Sequence, residues 1–452
     1  MLSSPNHPSS GLILAGMHSS SGKTAVTCML LAALAEQGLP IQPFKAGPDF
    51  IDPAYHARFA GVPSRNLDAW LMGHDGIARE VATHGAGKIG IVEGVMGLFD
   101  GSDARSDEGS TMELARLLDW PVVIIVPSAK SGRSLGAAIR GFIAEAGEGR
   151  IAGVILNEVG GGSHADYLRE AIAPLKLPVL GAIPRCKELA WPERHLGLQA
   201  SQERELSTPG ELARLARQYL DLPGITAMLS PPPAALDSRP PALKRFRIGV
   251  ARDEAFHFYY ESNLDYLRGA GAELVEFSPI HHTKLPDDLD GMIFGGGFPE
   301  IFADALSQNQ AMRSEIRCAI DAGLPCYAEC GGLMLLSEEL ITLDGVRYPM
   351  AGAIPGGVEM TRALHQFGYC SCTGLAGASE EEFHGHEFHY SRWQAEAGAA
   401  NLWSVRRKRL GSARLEGVAR NRLHASYVHL HFPTSKAAVG MLLKPSMNLE
   451  TI

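Results

Sequence analysis

Short apolar runs alternate with helix-length segments through the first third of the chain. The runs are Leu12-Ile-Leu-Ala, Ile41-Gln-Pro-Phe, Ile89-Gly-Ile-Val, Val122-Val-Ile-Ile-Val and Val154-Ile-Leu. A parallel strand that is covered on both faces reads as a continuous apolar run, whereas a half-exposed strand alternates. The pattern therefore predicts an α/β domain with a doubly wound parallel sheet.

The same alternation resumes in the second half, beyond a proline-rich stretch. The new runs are Arg247-Ile-Gly-Val-Ala, Glu273-Leu-Val-Glu-Phe and Gly291-Met-Ile-Phe, with a helix expected at about 263–270. Prolines at 223, 231, 232, 233, 240 and 241 break any period between the halves, which is typical of a stiff linker. We therefore expect a first domain over 1–222, a linker over 223–244 and a second α/β domain over 245–452.

Length, charge and cysteine content limit the classes of protein to which the chain could belong. A chain of 452 residues is too long for one hydrophobic core, and its net charge of −9 argues against a general affinity for nucleic acid. No apolar run approaches the length of a membrane span, and the N-terminus lacks the pattern of a signal peptide. Seven cysteines without a repeated metal-ligand spacing favour reduced thiols, so we expect a cytoplasmic protein.

A glycine-rich loop lies between the first predicted strand and helix. It runs from Gly16 through Ser21 to Gly22, Lys23 and Thr24. In a phosphate loop, backbone N–H groups bind the anion, a lysine neutralises the outer phosphates and the next hydroxyl ligates Mg²⁺. Five residues separate these glycines instead of the usual four, so an ordinary turn is the competing interpretation. The position after a strand favours a nucleotide site.

Acidic residues follow two further strands, at Asp49 and Glu93. Carboxylates at the carboxyl ends of parallel strands lie on the rim where ligands bind, and with Thr24 they could hold Mg²⁺. Each alone could equally be a turn residue. Asn157, which ends another strand, could read a nucleobase or simply form a turn.

Cys330 lies between an apolar run and two glycines, in Tyr327-Ala-Glu-Cys-Gly-Gly-Leu-Met. This arrangement is typical of an elbow that exposes a nucleophile. A thiolate needs a neighbouring base, and strand alternation places His429 and His431 on one face, so the pattern does not choose between them. The backbone of Gly296 and Gly297 could stabilise an oxyanion, or form a tight turn.

At this point the chain resembles the cobyrinic acid a,c-diamide synthases, relatives of cobyric acid synthase and dethiobiotin synthetase. Matching runs stand in the family's order over nearly the whole length: Gly22-Lys23-Thr24, Lys45-Ala-Gly-Pro-Asp49-Phe-Ile-Asp52-Pro with Tyr55-His56, Asn66-Leu-Asp68, Glu93-Gly-Val-Met-Gly-Leu-Phe-Asp100-Gly, Pro192-Glu-Arg-His195-Leu-Gly-Leu, Tyr327-Ala-Glu-Cys330-Gly-Gly-Leu-Met and Gly385-His-Glu-Phe-His389-Tyr-Ser-Arg392.

The resemblance implies a dethiobiotin-synthetase-like P-loop domain followed by a flavodoxin-like class I glutamine amidotransferase domain. Such enzymes amidate two side-chain carboxylates of a corrin polycarboxylate, consuming ATP and L-glutamine with Mg²⁺. It assigns the nucleophile to Cys330 and favours His429, since related synthases have tyrosine, any residue, then histidine at this strand. His431 stays as the alternative. Carried-over candidates for the corrin pocket are His56, Arg194, His195 and Arg392.

Two departures from the family pattern stand out. The family's loop commonly has glycine where this chain has Ser20. Classical members of the wider glutaminase superfamily carry His-Pro-Glu, whereas Leu430 and His431 follow His429 here, so the sequence identifies no third group to orient the imidazole.

Two other functions remain open. One is the same chemistry on hydrogenobyrinic acid or another tetrapyrrole polycarboxylate, and the other is a P-loop switch ATPase with a non-catalytic C-terminal domain. We further expect the protein to form a homodimer and to bind neither nucleic acid nor a membrane.

Overall fold

The computed structural model describes residues 10–189, 207–230, 246–375, 381–394, 398–408 and 412–443. The chain divides into two compact units, Met1–Ser238 and Arg239–Ile452. Each unit has its own hydrophobic core.

The first unit is built on a seven-stranded, wholly parallel sheet in the order β3-β2-β4-β1-β5-β6-β7. Its strands are β1 (Gly11–Gly16), β2 (Ile41–Ala46), β3 (Arg65–Leu67), β4 (Ile89–Gly97), β5 (Val122–Pro127), β6 (Ile151–Val159) and β7 (Val179–Pro184). Its helices are α1 (Lys23–Glu36), α2 (Ile51–Ala60), α3 (Ala69–His84), α4 (Thr111–Leu118), α5 (Ser134–Ala146), α6 (Gly162–Ile172), α7 (Pro209–Tyr219) and α8 (Leu222–Thr226), with 3₁₀ turns at Ala173–Leu175 and Lys187–Leu189.

Helices cover both faces of this sheet. Leu12 and Leu14 of β1 pack in one core cluster with α1, α2, α7 and α8, whereas Ile13 and Ala15 pack in another with α3 to α6. Successive side chains of a strand point to opposite faces, so β1 is apolar throughout because both faces are covered. The prediction of a doubly wound parallel sheet is confirmed.

The start of the predicted linker needs correction. Residues 222–226 form α8, and Leu222, Ile225 and Leu229 are buried in the first unit's core. Pro223 misled the sequence interpretation, because proline is favourable in the first turn of a helix, here after the N-cap Asp221. Residues 231–244 of the predicted linker lie outside the described residues.

The second unit contains a sheet in the order β10-β8-β11-β13-β23-β22, parallel except for β22. Its first strands and helices are β8 (Phe246–Ala251), β9 (Phe256–Phe258), α9 (Glu261–Gly269), β10 (Ala272–Phe277), β11 (Gly291–Phe294), β12 (Gly296–Gly297), α10 (Ala303–Gln308), α11 (Gln310–Asp321), β13 (Cys326–Glu329) and α12 (Gly331–Leu336). The five parallel strands follow the flavodoxin order, which confirms the predicted class of this domain.

Two further sheets elaborate the second unit. The sheet β15-β14-β16-β19 is mixed, with β14 and β16 parallel, and the sheet β21-β20-β17-β18-β24 is antiparallel. The remaining elements are β14 (Glu339–Ile341), β15 (Arg347–Pro349), β16 (Gly357–Met360), β17 (Gln366–Gly374), β18 (Glu382–His389), β19 (Ser391–Gln394), β20 (Trp403–Arg407), β21 (Ala413–Glu416), β22 (Val418–Arg420), β23 (Leu423–Ser426), β24 (His429–Leu430) and α13 (Lys436–Val439), with 3₁₀ turns at Phe432–Thr434 and Gly440–Leu442. The pairing of β18 with β24 sets His386 opposite His429.

Within the described ranges, no helix is long and apolar enough to cross a bilayer.

Candidate active sites

The loop between β1 and α1 depends on glycine at its last position. Gly22 caps α1 with φ of 84°, and a Cβ there would lie 2.1 Å from Nδ2 of Asn157. Ser20 has φ of 59°, a conformation that favours glycine, which accounts for the glycine common in the family at this position. The loop thus places backbone N–H groups at the N-terminus of a buried helix.

Two side chains brace this loop. Asn157 donates from Nδ2 to the carbonyl of Ser21 at 3.1 Å, and Ser21 donates from Oγ to the carbonyl of His18 at 2.6 Å. The described hydrogen bond of Asn157 is therefore to the loop itself, a role that sequence reasoning did not consider.

Lys23 and Thr24 point to the carboxyl end of β4. The Lys23 ammonium donates to the carbonyl of Met96 at 2.6 Å, and burial, together with the charge of Lys45, lowers its pKa. Thr24 donates from Oγ1 toward Glu93 at 2.8 Å and lies 3.3 Å from Oδ1 of Asp52. The hydroxyl predicted to ligate Mg²⁺ thus lies between two carboxylates.

Glu93 is the centre of a buried charged cluster. Lys45 Nζ lies 3.8 Å from Glu93 Oε1 and 3.4 Å from Asp52 Oδ2, while His56 Nε2 contacts Glu93 Oε2 at 2.6 Å. Burial alone would raise the Glu93 pKa, but the Lys45 charge and the His56 and Thr24 hydrogen bonds lower it to about 2. Glu93 is therefore an anion at neutral pH.

His56 has a different place from the one the resemblance suggested. It is fully buried, and its Nδ1 contacts Ser64 Oγ at 3.1 Å while its Nε2 contacts Glu93. Because α2 turns this side chain into the core, His56 orients Glu93 instead of lining an open substrate pocket.

The two aspartates of the motif after β2 make different contacts. Asp49 Oδ1 accepts a hydrogen bond from the backbone N–H of Ile51 at 2.9 Å, as a turn residue before α2 does. Asp52, three residues later, is the carboxylate beside Thr24. Spacing alone could not separate the two, because which one faces β4 depends on where α2 begins.

The first unit's donor set fits a nucleotide-bound Mg²⁺. One hydroxyl and two carboxylates converge at Thr24, and Mg²⁺ in such sites takes one or two carboxylates plus phosphate oxygens and waters. Among the described residues, no group of three or more histidine, cysteine, aspartate or glutamate side chains could hold a metal ion.

Cys330 lies at a strained turn between β13 and α12. Its φ is 48° and its ψ is −103°, a conformation that costs on the order of 1–3 kcal/mol for a residue with a side chain. The Cys330 N–H donates to the carbonyl of Ser426 at 2.8 Å, which holds the turn. A Cβ at Gly332 would lie 2.5 Å from the carbonyl oxygen of Phe294, so the helix can start here only with glycine.

His429 is the imidazole that meets this thiol. Its side chain hydrogen-bonds Cys330, and its Nδ1 lies 3.2 Å from Oε2 of Glu329. Burial would lower the pKa of His429, but the hydrogen bonds and charges of Cys330 and Glu329 raise it to about 10. Although Cys330 is only 7% exposed, an imidazole therefore lies beside its sulfur.

The described contact of the His431 side chain is a different one. Its Nδ1 contacts Thr434 Oγ1 at 2.9 Å, within the 3₁₀ turn that follows β24. The prediction that both histidines share a face assumed a longer strand, whereas β24 ends at Leu430.

Glu329 supplies the group that sequence reasoning could not identify. Its Oε1 accepts from the Tyr327 hydroxyl at 2.8 Å and from the Leu430 N–H at 3.0 Å, while Oε2 faces His429. Because Nδ1 of His429 faces this carboxylate, Nε2 is the nitrogen left for the sulfur. The residue directly before the nucleophile thus orients the imidazole.

A second histidine packs on the first. The His386 ring stacks on the His429 ring at 4.9 Å with an interplanar angle of 14°, and its Nε2 contacts the Tyr260 hydroxyl at 2.6 Å. The sequence signal was the run Gly385-His-Glu-Phe-His389, whose match to the family assigned no role to its histidines.

The glycines predicted for the oxyanion site flank the elbow. A Cβ at Gly296 would lie 2.8 Å from Cε1 of His429, and a Cβ at Gly331 would lie 3.1 Å from the backbone nitrogen of Gly297. The bare backbone of Gly296 and Gly297 therefore approaches both the imidazole and the start of α12.

Of the remaining candidates for the corrin pocket, only Arg392 lies among the described residues. Arg194 and His195 lie outside the described residues. Arg392 is exposed on β19 and lines a cleft of the second unit together with His389 and Tyr427.

Comparison with known proteins agrees with this pair of sites. A family model described as a CobQ/CobB/MinD/ParA nucleotide binding domain matches residues 12–198, and one described as a CobB/CobQ-like glutamine amidotransferase domain matches residues 247–437.

Curated relatives match over nearly the whole length. The chain is 42% identical to a cobyrinate a,c-diamide synthase of Syntrophotalea carbinolica, over 94% of this chain and 96% of that protein. Proteins of the same name from Priestia megaterium and Synechocystis sp. are 40% and 38% identical, each over 95% of this chain and over 95% and 92% of their own lengths. The chain belongs to the cobyrinate a,c-diamide synthase family.

Proposed function

We propose that this protein is an ATP-dependent, glutamine-hydrolysing ligase that amidates the a and c side-chain carboxylates of cobyrinic acid in cobalamin biosynthesis. The observation that carries the proposal is the presence of two different sites on one chain. The first unit has Lys23 and Thr24 beside buried carboxylates, and the second has Cys330 hydrogen-bonded to His429. The names of the relatives point to the same reaction.

The first unit would activate the acid. A carboxylate is a poor acceptor for ammonia, so its oxygen first attacks the γ-phosphorus of ATP, ADP leaves, and an acyl phosphate forms. Lys23 and the loop N–H groups stabilise charge on the phosphoryl group as it moves. Thr24, Asp52 and Glu93 would hold Mg²⁺, which neutralises phosphate charge when bound.

The second unit would release the nitrogen. The Cys330 thiolate attacks the amide carbon of glutamine, and the backbone at Gly296 and Gly297 stabilises the oxyanion. His429 gives its proton to the departing ammonia, and water then hydrolyses the thioester to glutamate. Glu329 holds the His429 imidazole in its orientation throughout these steps.

The two reactions meet at the acyl phosphate. Ammonia attacks the acyl carbon and inorganic phosphate leaves, which gives the amide. Ammonia must arrive before it is protonated, because ammonium has no lone pair with which to attack.

The choice of acid is tested by direct assay. Purified protein is incubated with ATP, Mg²⁺ and L-glutamine, together with cobyrinic acid, hydrogenobyrinic acid or a nickel sirohydrochlorin. We expect two amides per cobyrinic acid, with ADP formed for each. Turnover of ATP and glutamine that no tetrapyrrole acid stimulates would contradict the proposal and favour a switch ATPase.

We also propose a cytoplasmic location and a homodimer. All seven cysteines are free thiols in the structure, which fits a reducing compartment. Light scattering coupled to gel filtration would measure the mass, and a value at the 48.4 kDa of one chain would contradict the dimer.

A further inference from the structure

A cleft of about 400 Å³ in the second unit lies apart from the residues assigned so far, except Arg392. It is lined by Arg392, Arg414, His365, His389, Glu416 and Tyr427, among others. Two guanidinium and two imidazole groups thus line one concave surface, against one carboxylate.

The positive groups of the cleft are incompletely compensated. Arg414 forms an ion pair with the buried Glu387. The backbone of Arg392 pairs with Glu359 between β19 and β16, whereas its guanidinium forms no hydrogen bond or ion pair with another described residue. Burial and the charges of His389, Arg392 and Arg414 lower the pKa of His365, so the cleft disfavours a further positive charge. Burial and the charge of Glu387 raise the pKa of Glu416, the carboxyl of the lining, so an anion would find an uncompensated positive charge at Arg392.

His389 presents an unused polar atom. The residue is 6% exposed, its ring stacks on Tyr427 at 3.8 Å, and its Nδ1 contacts the carbonyl of Ser391 at 2.8 Å. Its buried Nε2 lies 3.7 Å from Oε1 of Glu387, too far for a close hydrogen bond, and makes no other hydrogen bond within the described ranges. A buried polar atom without a close partner is unfavourable, so a ligand that supplies one is favoured.

The wall of the cleft also holds the nucleophile's turn. Glu416 accepts hydrogen bonds from the Tyr427 N–H at 2.8 Å and from the Ser426 hydroxyl. The carbonyl of Ser426 in turn accepts from the Cys330 N–H. The lining residue Glu416 is therefore connected through Ser426 to the turn that holds Cys330.

We propose that this cleft binds a carboxylate of one of the enzyme's substrates at the Arg392 guanidinium, with the imidazolium form of His389 as a second donor through Nε2. Two carboxylates have the right chemistry: the α-carboxylate of glutamine and an acid arm of the corrin. The inference rests on the proposed function for the identity of these substrates and on the cleft alone for the anion site.

Calorimetry tests the anion site without turnover. In a full-length Cys330→Ala background, which cannot form the thioester, glutamine and cobyrinic acid are titrated separately into the parent, Arg392→Ala, Arg392→Lys and Arg362→Ala proteins. Arg362 is the control because it is an exposed arginine near the cleft but outside its lining. Loss of one charged hydrogen-bond partner should weaken one ligand about tenfold or more, with partial rescue by lysine.

Steady-state assays then distinguish the two sources. A rise in KM for glutamine in Arg392→Ala, with ammonia-dependent amidation unchanged, identifies the glutamine α-carboxylate. A rise in KM for the acid with ammonia as the nitrogen source identifies a corrin arm. If Arg392→Ala binds both ligands within about twofold of its parent, as Arg362→Ala should, the cleft is not a carboxylate site. Absence of amidation in the wild type would instead overturn the proposed function, and calorimetry would still decide on the cleft.

Discussion

Three donors converge on the carboxylate of Glu329, from Tyr327, Leu430 and His429. In the sequence, an acidic partner is expected two positions beyond the catalytic histidine, but Leu430 and His431 follow His429 in this chain. Here the acid precedes the nucleophile, a hundred residues away from the imidazole that it orients. Only the packing of β13 against the strands that follow brings the two together, so no local pattern could have revealed the contact.

Glu329→Gln should impair the release of ammonia and leave its use intact. The amide keeps the size of the side chain but removes the charge that helps to raise the His429 pKa. We expect glutamine-dependent amidation to fall by about 10²-fold or more, and ammonia-dependent amidation to stay near wild type. Equal losses with both nitrogen sources would show that Glu329 acts on the fold instead of on the imidazole.

Asp52 and Asp49 make a matched pair for the metal site. Asp52→Asn removes a charge beside Thr24, whereas Asp49→Asn alters a turn whose oxygen acceptor the amide retains. The Mg²⁺ concentration for half-maximal ATP turnover should rise about tenfold or more in Asp52→Asn and change little in Asp49→Asn. The reverse order would restore Asp49 as the ligand.

At the scale of elements, the loop between β1 and α1 should tolerate no side chain at Gly22. The alanine Cβ of Gly22→Ala would clash with Asn157 at positive φ, whereas Gly38, also at positive φ, has nothing within 4 Å of the point where a Cβ would lie. Gly38→Ala therefore carries only the backbone cost, about 1–2 kcal/mol. ATP-dependent amidation should be lost in Gly22→Ala and retained in Gly38→Ala, while glutamine hydrolysis is retained in both. Loss of ATP turnover in both variants would mean that the clash is irrelevant.

The segment from β21 to β23 should respond to pH through Glu416. Burial and the neighbouring charge of Glu387 raise the pKa of Glu416 to about 7. A raised carboxyl pKa contributes stability that is present below its usual value of about 4.5 and is lost as the pH rises through about 7. The Tm of wild type should therefore fall relative to Glu416→Gln over this interval. Parallel Tm profiles would contradict the assignment.

Elements buried on both faces were the predictable ones. The apolar runs at Leu12, Ile41, Ile89, Val122 and Val154 all became parallel strands, because continuous burial leaves a continuous pattern. Strands β14 to β21 escaped prediction, since most of them are short and each has exposed or half-buried positions. The two-residue β24 also defeated the alternation argument for His429 and His431, because a period cannot be read from so short a strand.

At the scale of the whole molecule, the order of motifs along the chain carried more information than any one motif. The displaced phosphate loop and the elbow were each ambiguous alone. The order in which these and the other motifs match the family along the chain indicated both domain classes. The orientation of side chains within those motifs was not predictable in this way. His56 faces the core, and Asp52 lies beside Thr24, because helix α2 sets the directions of both side chains, which depends on tertiary packing.

The division of labour between the units is tested most directly by the nitrogen source. Cys330→Ala should lose amidation with L-glutamine by several orders of magnitude and keep near-wild-type amidation of cobyrinic acid with ATP and free ammonia, measured by mass spectrometry of the corrin product. Lys23→Ala is the complementary variant, and it should lose amidation with L-glutamine and with free ammonia alike. If Cys330→Ala, folded by circular dichroism, fails with ammonia as well as with glutamine, the thiol does more than release nitrogen and the account is contradicted.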